Sequence, residues 1–181
     1  MEISTIRKAG RRLELARSEL ELAAESSSFE EFESHWYVFL VAANNVFTIL
    51  LAGARESPRA RQWLGNCKKN RDADPLTRYF FRARGDDEHG ISSVTSQTIA
   101  HVARPSGRLS NSRGYLMEEF VLSPNEWTFF AELEPVTDDN GNVYLPPTPP
   151  ETIARERAAI DAAQTYLEWL QKVFEGCAER A

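Results

Sequence analysis

Only two cysteines, two methionines, three histidines and nine glycines occur in the 181 residues. Cys67 and Cys177 lie far apart, with no metal-ligand spacing around either. That argues against a disulfide framework or a thiolate zinc site, and reads as two reduced thiols packed like small apolar groups. No apolar run approaches the roughly 20 residues of a membrane span, and Met1 to Lys8 lacks the apolar core of a secretory signal. A cytoplasmic chain that does not enter a membrane is expected. Repeats and low-complexity linkers are absent too, so residues 1–181 should form one domain, and a 42% hydrophobic content supplies one sizeable core.

An excess of positive charge is also missing. The net charge of −6 excludes a protein that binds polyanions over its whole surface. The charge is uneven, however. Between Ser57 and Gly85 stand Arg59, Arg61, Lys68, Lys69, Arg71, Arg78, Arg82 and Arg84 against only Asp72 and Asp74. Eight cations and two carboxylates give +6 there and leave −12 for the remainder. Such a stretch is either a pair of solvated helix faces or a local site for an anion.

What is present in quantity is helix punctuation. Ile3, Ile6, Leu13, Ala16, Leu20 and Ala23 form one stripe of an amphipathic helix over 3–24. Ser28 and Glu31 make a capping box that opens a second helix, with a stripe of Phe32, Trp36, Phe39, Leu40, Ala43, Phe47, Leu50 and Leu51 ending near Gly53. Ser57-Pro58 and Asp74-Pro75 repeat one signal, a capping side chain followed by a proline whose missing N–H costs nothing at the first helical position. Helices over 58–69 and 75–88 follow. A last helix should open at Thr148-Pro149-Pro150-Glu151 and carry Ile153, Ile160, Leu167, Leu170, Phe174 and Cys177 to about residue 177.

Between 91 and 147 the helical stripe gives way to β-branched residues, glycine and proline. Strands are expected over 91–103, 115–122 and 127–135, with a tight turn at Asn140-Gly141 leading to Val143-Tyr144-Leu145. A small antiparallel sheet of three or four strands, inserted before the final helix, is the predicted arrangement. The fold class is therefore mainly α: a helical bundle over 1–90 and 148–178 with a β-rich insertion at about 91–147.

Arg82-Ala-Arg84-Gly85-Asp86-Asp87-Glu88-His89-Gly90 ends the fourth helix. Read plainly it is a frayed terminus, with Gly85 or Gly90 as C-cap and the arginines favoured by the negative end of the dipole. Arg84 and His89 also pair a fixed cation with a group that titrates near neutrality. Five positions along a helix set the two side chains about 140° apart, so either Gly85 bends the helix or a second subunit completes the site.

The helix order, the Phe/Trp-rich second helix, and Arg84-x-x-x-x-His89 after a helix opened by Asp-Pro resemble the HEPN superfamily. The likeness spans about residues 5–90 and 150–177. It implies an up-and-down bundle that forms a homodimer with two Arg/His motifs facing one another. It also implies a metal-independent endoribonuclease of a toxin or defence system, with an RNA substrate, a cognate antitoxin and no cofactor or metal. His89 would be the acid or base and Arg84 would neutralise the phosphate, with Arg78 and Arg82 extending an RNA-binding strip. The alternative is a catalytically inactive HEPN-like module recognising a protein or a nucleotide-type ligand, with Gly85, where active members commonly carry a polar residue, marking the loss.

The remaining polar and aromatic candidates have plainer readings. His35 is expected to be a packed or half-exposed helix residue, and His101 falls in a strand; with His89 they show no metal spacing. Of Asn44 and Asn45, at least one should be buried with partners, facing the motif or a subunit interface. Trp127, Phe129 and Phe130 read first as core aromatics and second as stacking surfaces for bases.

Overall fold

The computed structural model describes residues 2–88, 94–110, 116–138, 140–148 and 158–181, with side chains described outside 84–88, 98–110 and 116–130. Five helices carry the fold: α1 (Ile3–Glu25), α2 (Phe29–Gly53), α3 (Pro58–Ala73), α4 (Pro75–Glu88) and α5 (Ala158–Ala178). Among the described residues four strands lie between α4 and α5: β1 (Thr95–Ser110), β2 (Leu116–Leu133), β3 (Val136–Thr137) and β4 (Val143–Tyr144). The chain is mainly helical, with small antiparallel sheets.

The predicted start signals at Ser28, Ser57 and Asp74 act as expected. Ser28 Oγ accepts from Glu31 N at 3.2 Å, but the Glu31 carboxylate reaches one residue further back, to Ser27 N at 2.9 Å and Ser27 Oγ at 3.1 Å. Those donors hold its carboxyl below the usual range. Ser57 Oγ caps α3 through Ala60 N, and Asp74 Oδ2 takes both Thr77 N and Thr77 Oγ1 at 2.8 Å. Because Asp74 N still donates to Asn70 O, α3 runs four residues beyond the expected end at 69. Thr148 is not helical, and the rest of the predicted start of the last helix, 149–157, lies outside the described residues.

α1 and α2 are an antiparallel pair: Thr5 at the start of α1 touches Gly53 at the end of α2, where an added Cβ would collide with it. α5 runs antiparallel to α1, with the Phe174 ring against Gly10 and Arg17 donating to Gln171. Gly176 lets the Trp63 indole of α3 lie on α5, where a Cβ would meet the ring carbon at 2.5 Å. Ile3 and Leu51, placed on the stripes by periodicity, are exposed at helix ends.

α2 forms the centre. Trp36, Phe39, Leu40, Ala43, Phe47 and Leu50 are all buried. With no charged residue between Trp36 and Ala54, the segment Phe29–Glu56 is long and apolar enough, by length and composition, to cross a membrane, which corrects the expectation that no run qualifies. Half of its most apolar window is already covered inside the protein. α1, α4 and α5 pack against it, as expected of a core helix.

The insertion differs from the single sheet of three or four strands. β1 and β2 pair antiparallel from Thr95↔Leu133 to Ser110↔Leu116, with register shifts at His101/Ala103 and Pro105/Arg108. β3 and β4 pair separately, Val136↔Tyr144 and Thr137↔Val143. The break falls at Glu134-Pro135, where proline removes a ladder donor. Glu134 is instead fixed from both sides, its N–H donating to Val94 O at 2.9 Å and its carbonyl accepting from Tyr79 Oη of α4 at 2.7 Å. The Asn140-Gly141 turn is present, with Gly141 at φ +80°, and it joins β3 to β4 rather than joining 127–135 to 143–145.

Candidate functional site

α4 has one face in the core and one outside. Tyr79, Phe80 and Ala83 are buried, whereas Arg78 and Arg82, four residues apart, share the other side. Both guanidiniums sit over the ring of Tyr144 in β4, at 5.7 Å and 5.3 Å from its centroid. Arg78 Nη1 donates to the carbonyl of Asp72 at 3.3 Å, and Arg82 Nη1 lies 3.9 Å from Asp138 Oδ2.

Asp138 organises that edge. Its Oδ1 accepts from Asn140 N, Asn142 N and Asn142 Nδ2 at 3.0 to 3.1 Å, and its Oδ2 accepts from Tyr144 Oη at 2.9 Å. With the side chain only 8% exposed, this cage of donors, Asn142 foremost, lowers its pKa to about 2. Donating to that carboxylate raises the pKa of Tyr144. Asp138 thus fixes the hairpin that lays Tyr144 on the two arginines.

Between α4, β4 and α5 the surface opens into a cavity of about 1080 Å³. Leu76, Val143, Leu145 and Ala162 supply apolar wall, and Arg78 and Tyr144 stand at its polar side.

Of the motif named from sequence, Arg84 lies on α4, whose backbone stays helical through Gly85 to Glu88. Gly85 is therefore not the C-cap. The Arg84 side chain and the whole of His89 lie outside the described residues, as does Gly90.

Arg71 leaves the basic surface altogether. It is 5% exposed, its guanidinium 3.5 Å from the Phe81 ring centroid and 5.0 Å from that of Phe47. Asp72 Oδ1 accepts from its Nε and Nη2 at 2.9 Å and 2.7 Å. Desolvated stacking of this kind suits a guanidinium better than an ammonium.

Asn44 is buried, and it faces the core rather than the motif. Its Nδ2 donates to Leu40 O and Phe80 O at 3.1 Å, and its Oδ1 accepts from Tyr166 Oη at 3.2 Å. Burial pushes the Tyr166 phenol up. His35 Nδ1 lies 2.8 Å from Glu19 Oε2 across the α1–α2 pair. His101 stands opposite Trp127 in the β1–β2 ladder, with Ile99 opposite Phe129 and Thr98 opposite Phe130; those side chains lie outside the described residues. Cys67 and Cys177 are free and buried, and burial raises both thiols, Cys177 to about 11. Among the described residues no group of three His, Cys, Asp or Glu side chains is placed to hold a metal ion.

Tyr144, expected only as a strand residue, and Asp138 were not read from the sequence as site residues. The Asn-Gly turn marks their hairpin, but only the docking of β3 and β4 against α4 brings them to the arginines. No protein-family model, curated protein or solved structure matches this chain.

Proposed function

We propose that the chain is a HEPN-like module acting as a homodimeric, metal-independent endoribonuclease of a toxin or defence system, with Arg84 and His89 as its reacting pair. The observation that supports this best is the outer face of α4. Arg78 and Arg82 approach an aromatic ring there, within two turns before Arg84, and the helix continues unbroken through Gly85. On this reading a two-fold partner supplies the facing pair.

The chemistry asks for both residue types. The 2′-hydroxyl loses a proton while negative charge grows on the phosphate, so an imidazole serves as acid or base and a guanidinium holds the phosphate oxygens. Cleavage should persist in a chelator and leave cyclic phosphate ends. His89→Ala should lower the rate about 10²-fold or more, and Arg84→Lys should also fail for want of the planar donor fork. Undiminished cleavage in both variants refutes the assignment, and a clean monomer in light scattering removes the composite site.

The second reading is a catalytically silent binding module. Gly85 and the net charge of −6 favour it. Absence of cleavage by the wild type, with ligand or partner binding retained on the α4 face, selects it.

A further inference from the structure

We infer that the cavity between α4, β4 and α5 is a subsite for one nucleotide, with Tyr144 as the stacking surface for the base and Arg78 as the phosphate ligand. The inference rests on the RNA reading of α4 but concerns residues outside the Arg84/His89 pair.

Three observations carry it. At about 1080 Å³ the cavity is large enough for a small ligand, and its wall is largely apolar, through Leu76, Val143, Leu145 and Ala162. Its aromatic member is held in place: the Tyr144 hydroxyl is tied to Asp138, and the half-buried ring has guanidiniums within 6 Å of its centroid. An aromatic side chain beside cations is the recurrent device by which proteins hold single-stranded nucleic acid, because every base has a π-face.

The charge arrangement narrows the ligand. Arg78 donates to a backbone carbonyl, which leaves its positive charge uncancelled by that contact, whereas Arg82 is shared with the Asp138 carboxylate. One cation at the mouth suits one phosphate. Asp74 and Asp161 also line the cavity, and their charge opposes any phosphate not held by Arg78 while favouring the donor-bearing edge of a base. Six residues separate Arg78 from Arg84, a rise of about 9 Å along the helix, so the subsite is distinct from the Arg84 position. It would set base preference at a neighbouring position of the strand.

Amide NMR titration of the full chain with nucleoside 5′-monophosphates, the matching nucleosides and inorganic phosphate tests this without any cleavage. The monophosphates should bind saturably, with shifts centred on 142–148 and 158–165, and more tightly than either fragment. Tyr144→Ala should weaken binding about tenfold or more, and Tyr144→Phe should retain it. Because Tyr144→Ala removes a packed ring, Leu145→Glu serves as a second probe: Leu145 is exposed, and the added charge should repel the phosphate more than Leu145→Gln does. No saturable response, shifts centred elsewhere, inorganic phosphate binding as tightly as the nucleotide, or indifference to both Tyr144→Ala and Leu145→Glu overturns the subsite. Nucleotide binding by a chain that cleaves no RNA leaves it standing and removes only the ribonuclease reading.

Discussion

The two faces of α4 are held by different means. On the inner face Phe80 stacks on Tyr166 at 5.1 Å, meets Trp36 and Phe39 at 6.1 and 6.3 Å, and offers its carbonyl to Asn44. Phe80 has several partners there. On the outer face two guanidiniums share one ring, one carbonyl and one carboxylate at 3.9 Å. Contacts of that length at an exposed surface are worth about 0 to 1 kcal/mol each. Weak contacts of that kind can change without disturbing the bundle, which is what the proposed binding role of the outer face requires.

The strongest way to break that contrast is to hollow the inner face. Phe80→Ala should cost about 3 to 5 kcal/mol, because a fully buried aromatic leaves a cavity that rigid ring neighbours cannot fill. Urea unfolding should show the midpoint falling with little change in slope. A loss below about 1 kcal/mol would mean that the ring cluster does not hold α4 to the core.

A smaller loss is expected from the polar link inside the same core. Asn44→Ala strands the Tyr166 hydroxyl among apolar groups, at about 1 to 3 kcal/mol. Adding Tyr166→Phe removes the stranded group, so the double variant should be more stable than the sum of the two single losses implies. Strict additivity in that cycle would show that the 3.2 Å contact contributes nothing.

The same contrast explains what could be read from the sequence. Ser28, Ser57-Pro58 and Asp74-Pro75 announce helix starts because a cap is a local requirement, met within four residues. Burial of Trp36, Phe39, Leu40 and Phe47 followed from periodicity alone. Periodicity does not say where a neighbouring layer ends, which is why Ile3 is 77% exposed despite lying on the stripe. Non-local partners were invisible. Arg71 counted as surface charge until Phe47 and Phe81 enclosed it, and Asn44 was placed inside without its partners. In the insertion the turn was legible from Asn140-Gly141, but strand pairing was not, since Pro135 separates two ladders that alternation alone would join. Of the candidate site, Arg78 and Arg82 lie on α4, whereas nothing in the sequence placed Tyr144, far along the chain, beside them.

The gentlest perturbation acts only on the outer face. Asp138 holds the β3–β4 turn as an anion, with its pKa lowered from 3.8 to about 2 by the donors of Asn142, Tyr144 and Asn140. A group whose folded pKa is depressed contributes stability that is complete above its unfolded pKa and is lost as pH falls through the folded one. The hairpin should therefore be unchanged from neutrality down to about pH 4, and should loosen as the pH approaches about 2. Amide NMR signals of 140–144 should move together with that midpoint. Asp138→Asn should abolish the acid step and release Tyr144 from the arginines at every pH, while the inner-face cluster keeps its urea midpoint nearly unchanged. A midpoint near 3.8 in the wild type would mean that the donors do not grip the carboxylate. A bundle that weakens as much as the hairpin would mean that the two faces of α4 are not independent.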